Sequence, residues 1–269
     1  MKKAILVVSF GTSYEETRKK TIEAIEKRID ENFEEYKVYR AFTSKIILKK
    51  LKMQGLQVFD VEEAMEQIIK DGVEQLIVQP THIINGIEND NMYRDVMKYE
   101  GKIASILFGK ALLSDTKDYQ ELARIIDETY PVGNDEVLLL MGHGSDHYAN
   151  ASYPAFEYTL KQDGFSQIVV GTVEGYPSFA DACDNLKRIG KKKVCLVPMM
   201  IVAGDHATND MAGSEDSWKT KLEADGYEVR CVMAGLGEIR QVQDMYVKHI
   251  ENALLEENGI DVETDTMEG

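Results

Sequence analysis

The stretch Ile5-Leu6-Val7-Val8-Ser9-Phe10-Gly11-Thr12-Ser13 returns later as Leu138-Leu139-Leu140-Met141-Gly142-His143-Gly144-Ser145-Asp146, with Gly144 over Gly11 at an offset of 133 residues. A second match sets Val78-Gln79-Pro80 through Gly86-Ile87-Glu88 beneath Leu196-Val197-Pro198 through Gly204-Asp205-His206, with Pro198 over Pro80 at an offset of 118. Order is kept while one connection has shortened, the pattern of a duplicated unit. Short apolar runs alternate with longer stretches of helical period, which predicts parallel sheets with crossover helices. The expected strands are Ala4 to Phe10, Lys37 to Phe42, Gln75 to Gln79 and Ile103 to Phe108. A second series covers Glu136 to Met141, Gln167 to Gly171, Lys193 to Pro198 and Glu228 to Met233. The fold class is therefore α/β: two similar Rossmann-like or flavodoxin-like halves, each a four-stranded parallel sheet flanked by helices, related by a pseudo-two-fold. The halves are expected at 1–131 and 132–256, with the last helix packing on the first half and an acidic, frayed tail at 257–269.

Helices are expected at Ser13 to Asp30, Val61 to Asp71, Lys117 to Tyr130, Pro154 to Gln162, Ser178 to Ile189, Ser214 to Asp225 and Ile239 to Leu255. Glu15 and Glu16 suit the positive end of the first of these.

In an open α/β sheet, ligands bind outside the carboxyl ends of the strands. His143, Glu174 and His206 each follow the end of an expected core strand, all in the second half. Taken singly, each has an ordinary reading: a helix-capping histidine, a solvated carboxylate, a polar loop. Their shared address offers two imidazoles and a carboxylate to one crevice, a set that suits cobalt, nickel, zinc or iron(II). Gly142 and Gly144 let the chain turn sharply beside a ligand and leave the imidazole unshielded. In the alignment Phe10 replaces His143 and Glu88 replaces His206, so one half alone carries the ligand set. Glu88 is a candidate charge partner or proton acceptor. His82, before two isoleucines, reads chiefly as a satisfied buried histidine, and His249 as structural. His147 is a weaker partner for His143. Ser9-Phe10-Gly11-Thr12-Ser13 is a weak phosphate signal and a better carboxylate one, at a strand-to-helix turn where backbone N–H groups attract anions.

Lys plus Arg total 31 against 47 Asp plus Glu, a net charge of −16, which disfavours nucleic acid and anionic membrane surfaces as partners. No apolar run is long enough for a membrane span and the first residues lack a cleavage pattern, so the cytoplasm is expected. The cysteines number 3, Cys183, Cys195 and Cys231, widely spaced and odd in count, and read as buried small residues rather than disulfides or zinc ligands.

The opening Ile5 to Ser13, the Gln79-Pro80-Thr81-His82-Ile83 segment with Gly86 to Asn91, the Met141-Gly142-His143-Gly144 turn and Gly204-Asp205-His206-Ala207 together resemble the anaerobic cobalt chelatases of cobalamin synthesis. These are class II, ATP-independent enzymes that insert Co²⁺ into sirohydrochlorin and are related in fold to ferrochelatase. The likeness runs from Lys3 to about Leu255. It implies a metal held by His143, Glu174 and His206, with Glu88 near it, and a tetrapyrrole in the cleft between the halves; Phe10, Gly11, Thr12, Ser13, His82 and Gly142 are the expected substrate-binding residues. It implies Co²⁺ as a substrate metal with no nucleotide or organic cofactor. Metal insertion releases two protons, and imidazole titrates near neutrality, so His143 is the leading base as well as a ligand. The carboxylate-rich ring needs local positive charge in this acidic chain, for which Arg94, Lys45 and Ser13 are candidates. Fe²⁺ or Ni²⁺ insertion into the same ring, a flavodoxin-like module holding a flavin or tetrapyrrole without chemistry, and a metal-delivery protein stand as alternatives. A homo-oligomer stays open.

Overall fold

The computed structural model describes residues 1–259. The first sheet contains β1 (Lys3–Ser9), β2 (Tyr36–Phe42), β3 (Gln75–Pro80) and β4 (Ser105–Phe108) in the order β2-β1-β3-β4. The second contains β5 (Glu136–Gly142), β6 (Ile168–Thr172), β7 (Lys193–Pro198) and β8 (Glu228–Cys231) in the order β6-β5-β7-β8. All pairings are parallel. The two orders are the same once the numbering is shifted, as duplication predicts. The register agrees residue for residue: Val8 pairs with Pro80 and Met141 with Pro198, the same rung in each half. Gly11 and Gly144, three residues beyond those rungs, have φ of +100° and +82°, a region that L side chains rarely enter.

The central strands are apolar on both faces because both faces are covered. Ala4 to Val8 and Val137 to Met141 are wholly buried. Ten α-helices lie among the described residues: α1 (Glu15–Lys20), α2 (Ile22–Asn32), α3 (Lys45–Met53), α4 (Val61–Lys70), α5 (Ile87–Met97), α6 (Thr116–Thr129), α7 (Ser152–Gln162), α8 (Phe179–Ile189), α9 (Trp218–Ala224) and α10 (Arg240–Glu257). Val61, Ala64, Met65 and Ile68 of α4 recur at one face and pack on the outer side of the first sheet with Met92 and Val96 of α5. A capping box of Asp60 and Glu63 starts α4, and Ser178 with Asp181 starts α8 in the same way. The outer side of the second sheet takes α8 and α9 through Leu186, Trp218 and Leu222.

The inner sides share one core. Ile5, Val7 and Ile77 of the first sheet join Leu138, Leu140 and Val170 of the second in a single buried cluster, filled by α2, α6, α7 and α10. In α10, the fully buried Tyr246 donates its hydroxyl to the Thr81 carbonyl at 3.0 Å, fixing the last helix to the first half. His249 is structural, with Nε2 2.8 Å from Asp118 Oδ1 and Nδ1 3.0 Å from the Lys110 carbonyl.

Several expectations need correction. The helix expected at Ser13 to Asp30 is two helices, because Thr21, with φ −116° and ψ −82°, leaves helical geometry and turns its hydroxyl to the Thr17 carbonyl. Ser214 to Asp225 contracts to α9, capped at Ser217, and a π-helical turn at Ala207–Met211 precedes it. Two helices, α3 and α5, stand where the sequence reading placed no element. The tail begins later than expected: Glu257 belongs to α10 and accepts from Gln75 Nε2 at 2.7 Å and Ser105 Oγ at 2.6 Å. The remainder of the expected tail, 260–269, lies outside the described residues. All three cysteines are free; Cys183 and Cys195 are buried, and burial pushes the Cys195 thiol up to about 11, far from the thiolate a metal would need. No described helix is long and apolar enough to cross a membrane.

Candidate metal-transfer site

The loops after β5 and β6 stay paired beyond the sheet. Val173 N–H donates to the Gly142 carbonyl at 3.0 Å and Glu174 N–H to the His143 carbonyl at 2.8 Å, which sets Glu174 beside His143. Behind them Gly144 and Gly175 lie backbone to backbone: a Cβ on Gly144 would stand 2.5 Å from Gly175 N. Only glycine fits there, so the spacing of the His143 and Glu174 side chains is imposed by main chain. The corresponding bonds in the first half run from Thr43 N–H to the Ser9 carbonyl and from Ser44 N–H to the Phe10 carbonyl. Ser44, the N-cap of α3, therefore occupies the place that Glu174 holds in the second half.

His206 reaches the same region from the loop after β7. That loop is held by Leu236 N–H to the Met200 carbonyl at 2.8 Å and Gly237 N–H to the Ile201 carbonyl at 3.0 Å. The rings of His143 and His206 meet edge to face, with centroids 4.7 Å apart. His143 Nδ1 is 2.8 Å from the Gly144 carbonyl, which can only accept, so Nδ1 carries the proton and Nε2 presents a lone pair. His206 is fixed the same way by a carboxylate: its Nδ1 lies 2.7 Å from Asp210 Oδ2. Both imidazoles thus offer Nε2. Glu174 Oε2 is 4.0 Å from His143 Nδ1, on the side away from that lone pair, and its side chain is 60% exposed and free to turn. Among the described residues, no group of three or more His, Cys, Asp or Glu is placed so as to hold a metal ion. The trio is gathered, but it is not drawn together as a finished coordination shell.

The first half closes on this group at two places. Tyr14 donates its hydroxyl to Asp205 Oδ1 at 2.5 Å, and Lys50 Nζ of α3 lies 3.5 Å from Asp205 Oδ2. The Tyr14 hydroxyl holds the Asp205 carboxyl below the usual carboxylate range, with Lys50 adding to the effect. On the other flank, Asp90 of α5 lies 3.3 Å from His147 Nε2. His147 Nδ1 already accepts from Ala149 N–H at 3.2 Å, so His147 caps a turn and reaches across to Asp90 rather than joining His143.

Other expected residues fall elsewhere. Phe10 is 51% exposed at the exit of β1, open to a ligand. Thr12 is buried, and its hydroxyl accepts from Tyr14 N–H at 3.2 Å. The anion-cradle reading of Gly11, Thr12 and Ser13 does not hold, because α1 is a short helix whose first turn carries Glu15 and Glu16, which repel an anion. Gly142 ends β5 with the Tyr153 ring packed where a Cβ would stand. His82 is buried, with neither ring nitrogen in a hydrogen bond of good geometry; burial pulls its imidazole down, opposed by the nearby Glu88 and by a looser contact with the Asn89 side chain. With those nitrogens enclosed, His82 offers a ligand no polar atom. Glu88 sits in the first turn of α5, two residues before Asp90, rather than in a strand exit. Arg94 donates to the Asn91 side chain of its own helix. A cavity of about 690 Å³ opens beside Glu174, lined by Ser145, His147, Tyr148, Asn150 and Tyr176. It lies wholly within the second half, not between the halves.

The sequence reading missed Asp210, although its spacing of four from His206 on a helical turn was available. It also missed the Tyr14–Asp205 and Asp90–His147 bridges, which join residues with no local relation.

The family model described as Cobalt chelatase (CbiK) matches residues 3–255. The chain belongs to the CbiK cobalt chelatase family. The Salmonella typhimurium protein named sirohydrochlorin cobaltochelatase is 37% identical to this CbiK-family chain, over 94% of this chain and 97% of its own. A second, sirohydrochlorin cobaltochelatase CbiKC of Nitratidesulfovibrio vulgaris, is 30% identical over 94% and 91%. Among solved structures, SirB from Bacillus subtilis with Fe3+ superposes with a TM-score of 0.66 over 98% of this chain and 100% of that one at 14% identity, a likeness of fold. The CbiX structure, at a TM-score of 0.57 and 18% identity over 93% and 99%, shares the same two-sheet chelatase architecture.

Proposed function

We propose that this CbiK-family chain inserts Co²⁺ into sirohydrochlorin, with no nucleotide taking part and with two pyrrole protons released. Membership of the cobalt chelatase family and the names of both curated relatives support the reaction. The observation that carries the site assignment is the pairing of two imidazoles that both present a bare Nε2 at the exits of β5 and β7. Co²⁺ is the substrate metal. His143 and His206 offer it nitrogen, and Glu174 turns in to complete the set, a borderline-to-hard mixture that binds divalent cobalt without the grip of a thiolate. Once ring nitrogens take the ion, His143 Nε2 is free to accept a proton, and Glu88 on α5 is a second acceptor. The surrounding Glu174, Asp205 and Asp210 give the metal side a negative field that suits an incoming cation. Free thiols fit a reducing compartment, the cytoplasm.

The test is anaerobic turnover with sirohydrochlorin and Co²⁺, Fe²⁺ or Ni²⁺ in turn, followed by absorption. Cobalt should be inserted fastest; a clear preference for iron would overturn the assignment. Substituting Glu88→Gln or His206→Gln should change the cobalt-to-iron ratio with little change in melting temperature, and an unaltered ratio counts against a place for either at the metal. Asp210→Ala leaves His206 without its orienting carboxylate. Cobalt affinity by calorimetric titration should fall about 10–100-fold, the usual cost of losing such a partner. An unchanged affinity would place His206 outside the metal site.

A further inference from the structure

Helix α3 is unlike the rest of this acidic chain. Its nine residues hold Lys45, Lys49, Lys50 and Lys52 and no acidic residue. Lys45, Lys49 and Lys52 recur at i, i+4 and i+7, a single stripe. Among the described residues, none of these three has a carboxylate within ion-pair distance or another polar partner. Elsewhere the exposed lysines are mostly neutralised, as Lys19 is by Glu15 and Glu16, Lys37 by Asp71 and Lys98 by Glu62 and Asp95. The neighbouring stripe of α3 is apolar where it is not basic: Ile46 is 70% and Met53 80% exposed. The opposite face is committed to the core, where Leu51, Ile47 and Leu48 pack with Ile22, Phe42, Val58 and Val202.

The helix also has a defined place. Its N-cap bonds to the Phe10 carbonyl, and Lys50 reaches Asp205, the residue before His206. Bare positive charge mixed with uncovered apolar side chains thus stands at the rim of the metal-transfer site, with the exposed Phe10 ring at its foot.

We infer that the exposed face of α3 is the ring-recognition surface, with Lys45, Lys49 and Lys52 pairing the peripheral carboxylates of sirohydrochlorin and Ile46 lying against its apolar macrocycle. This rests on the chelatase reading and adds the residues that select its anionic substrate. Charge complementarity names the occupant: the ring is a flat apolar body rimmed by carboxylates, and α3 is an apolar surface edged by ammonium groups. Nucleic acid is a poor alternative for a chain of net charge −16. The fold thereby sorts its two substrates by sign, with the cation drawn to Glu174, Asp205 and Asp210 in the second half and the anion to α3 in the first.

The experiment is an anaerobic spectral titration of metal-free sirohydrochlorin into the wild-type chain and into the combined variant Lys45→Gln, Lys49→Gln, Lys52→Gln, at low and at moderate salt. These side chains are exposed and unpaired, so the variant should fold. Its Kd for the ring should rise about tenfold and vary less with salt, as expected for three lost surface ion pairs. Its affinity for Co²⁺ alone should be unchanged. A charge-matched control, Lys70→Gln, Lys102→Gln, Lys187→Gln, should bind the ring as the wild type does. Ring binding by the α3 variant within about twofold of wild type, or an equal loss in the control, overturns the lysine face. A change of oligomeric state in the α3 variant would mark the face as a contact between copies and overturn it too. A wild-type chain that does not bind the ring at all brings down the chelatase reading itself.

Discussion

Replacing His143 with alanine lowers the turnover of Co²⁺ insertion by about 10²–10⁴-fold, the range for removing a positioned acid–base group. The side chain is 45% exposed, and the hydrogen bond it loses is to the adjacent Gly144 carbonyl. That carbonyl can turn to water, so the stability cost stays near about 1 kcal/mol. Activity and melting temperature therefore separate in this variant. Added imidazole should restore part of the rate, since it can supply the missing Nε2 in a site open to solvent. Retention of more than about half the wild-type turnover would remove His143 from the reaction.

Tyr246→Ala has the largest expected effect on stability. The ring is fully buried in the core shared by the two sheets, and its hydroxyl is the partner of the Thr81 carbonyl. Burial raises its phenol well above the ordinary value, so it remains a neutral donor throughout the working range. Truncation leaves a cavity and costs about 3–5 kcal/mol, as other large aromatic deletions do. For a chain of this size that corresponds to a fall of roughly 10 °C in melting temperature, read by differential scanning calorimetry. Tyr246→Phe keeps the ring and orphans only the carbonyl, at about 1–3 kcal/mol. A loss below about 1 kcal/mol for the alanine variant would show that α10 does not carry the junction between the halves.

The duplication was legible because strand exits punctuated by Gly and Pro are local signals, and the ladder reproduces the alignment at Val8 with Pro80 and Met141 with Pro198. The addresses of His143, Glu174 and His206 were legible for the same reason, since parallel strands with right-handed crossovers put their carboxyl ends at one side. Helix α3 was hidden because Lys45-Ile46-Ile47-Leu48 has no acidic first turn and only Ser44 to announce its start. Helix α5 was hidden because Ile87 to Met97 buries only Met92 and Val96, too few positions to give a period. What sequence could not give was side-chain direction. The side on which Glu174 stands relative to His143, the enclosure of the His82 nitrogens and the reach of Tyr14 to Asp205 all depend on loops from distant parts of the chain.

The Gly144–Gly175 contact bears on how this family can vary. Because two backbones pressed together fix the separation of positions 143 and 174, the side chains there can be exchanged without resizing the pocket. If the proposed assignment holds, exchanging donor atoms at these two positions should alter metal preference while the frame that carries them stays as it is.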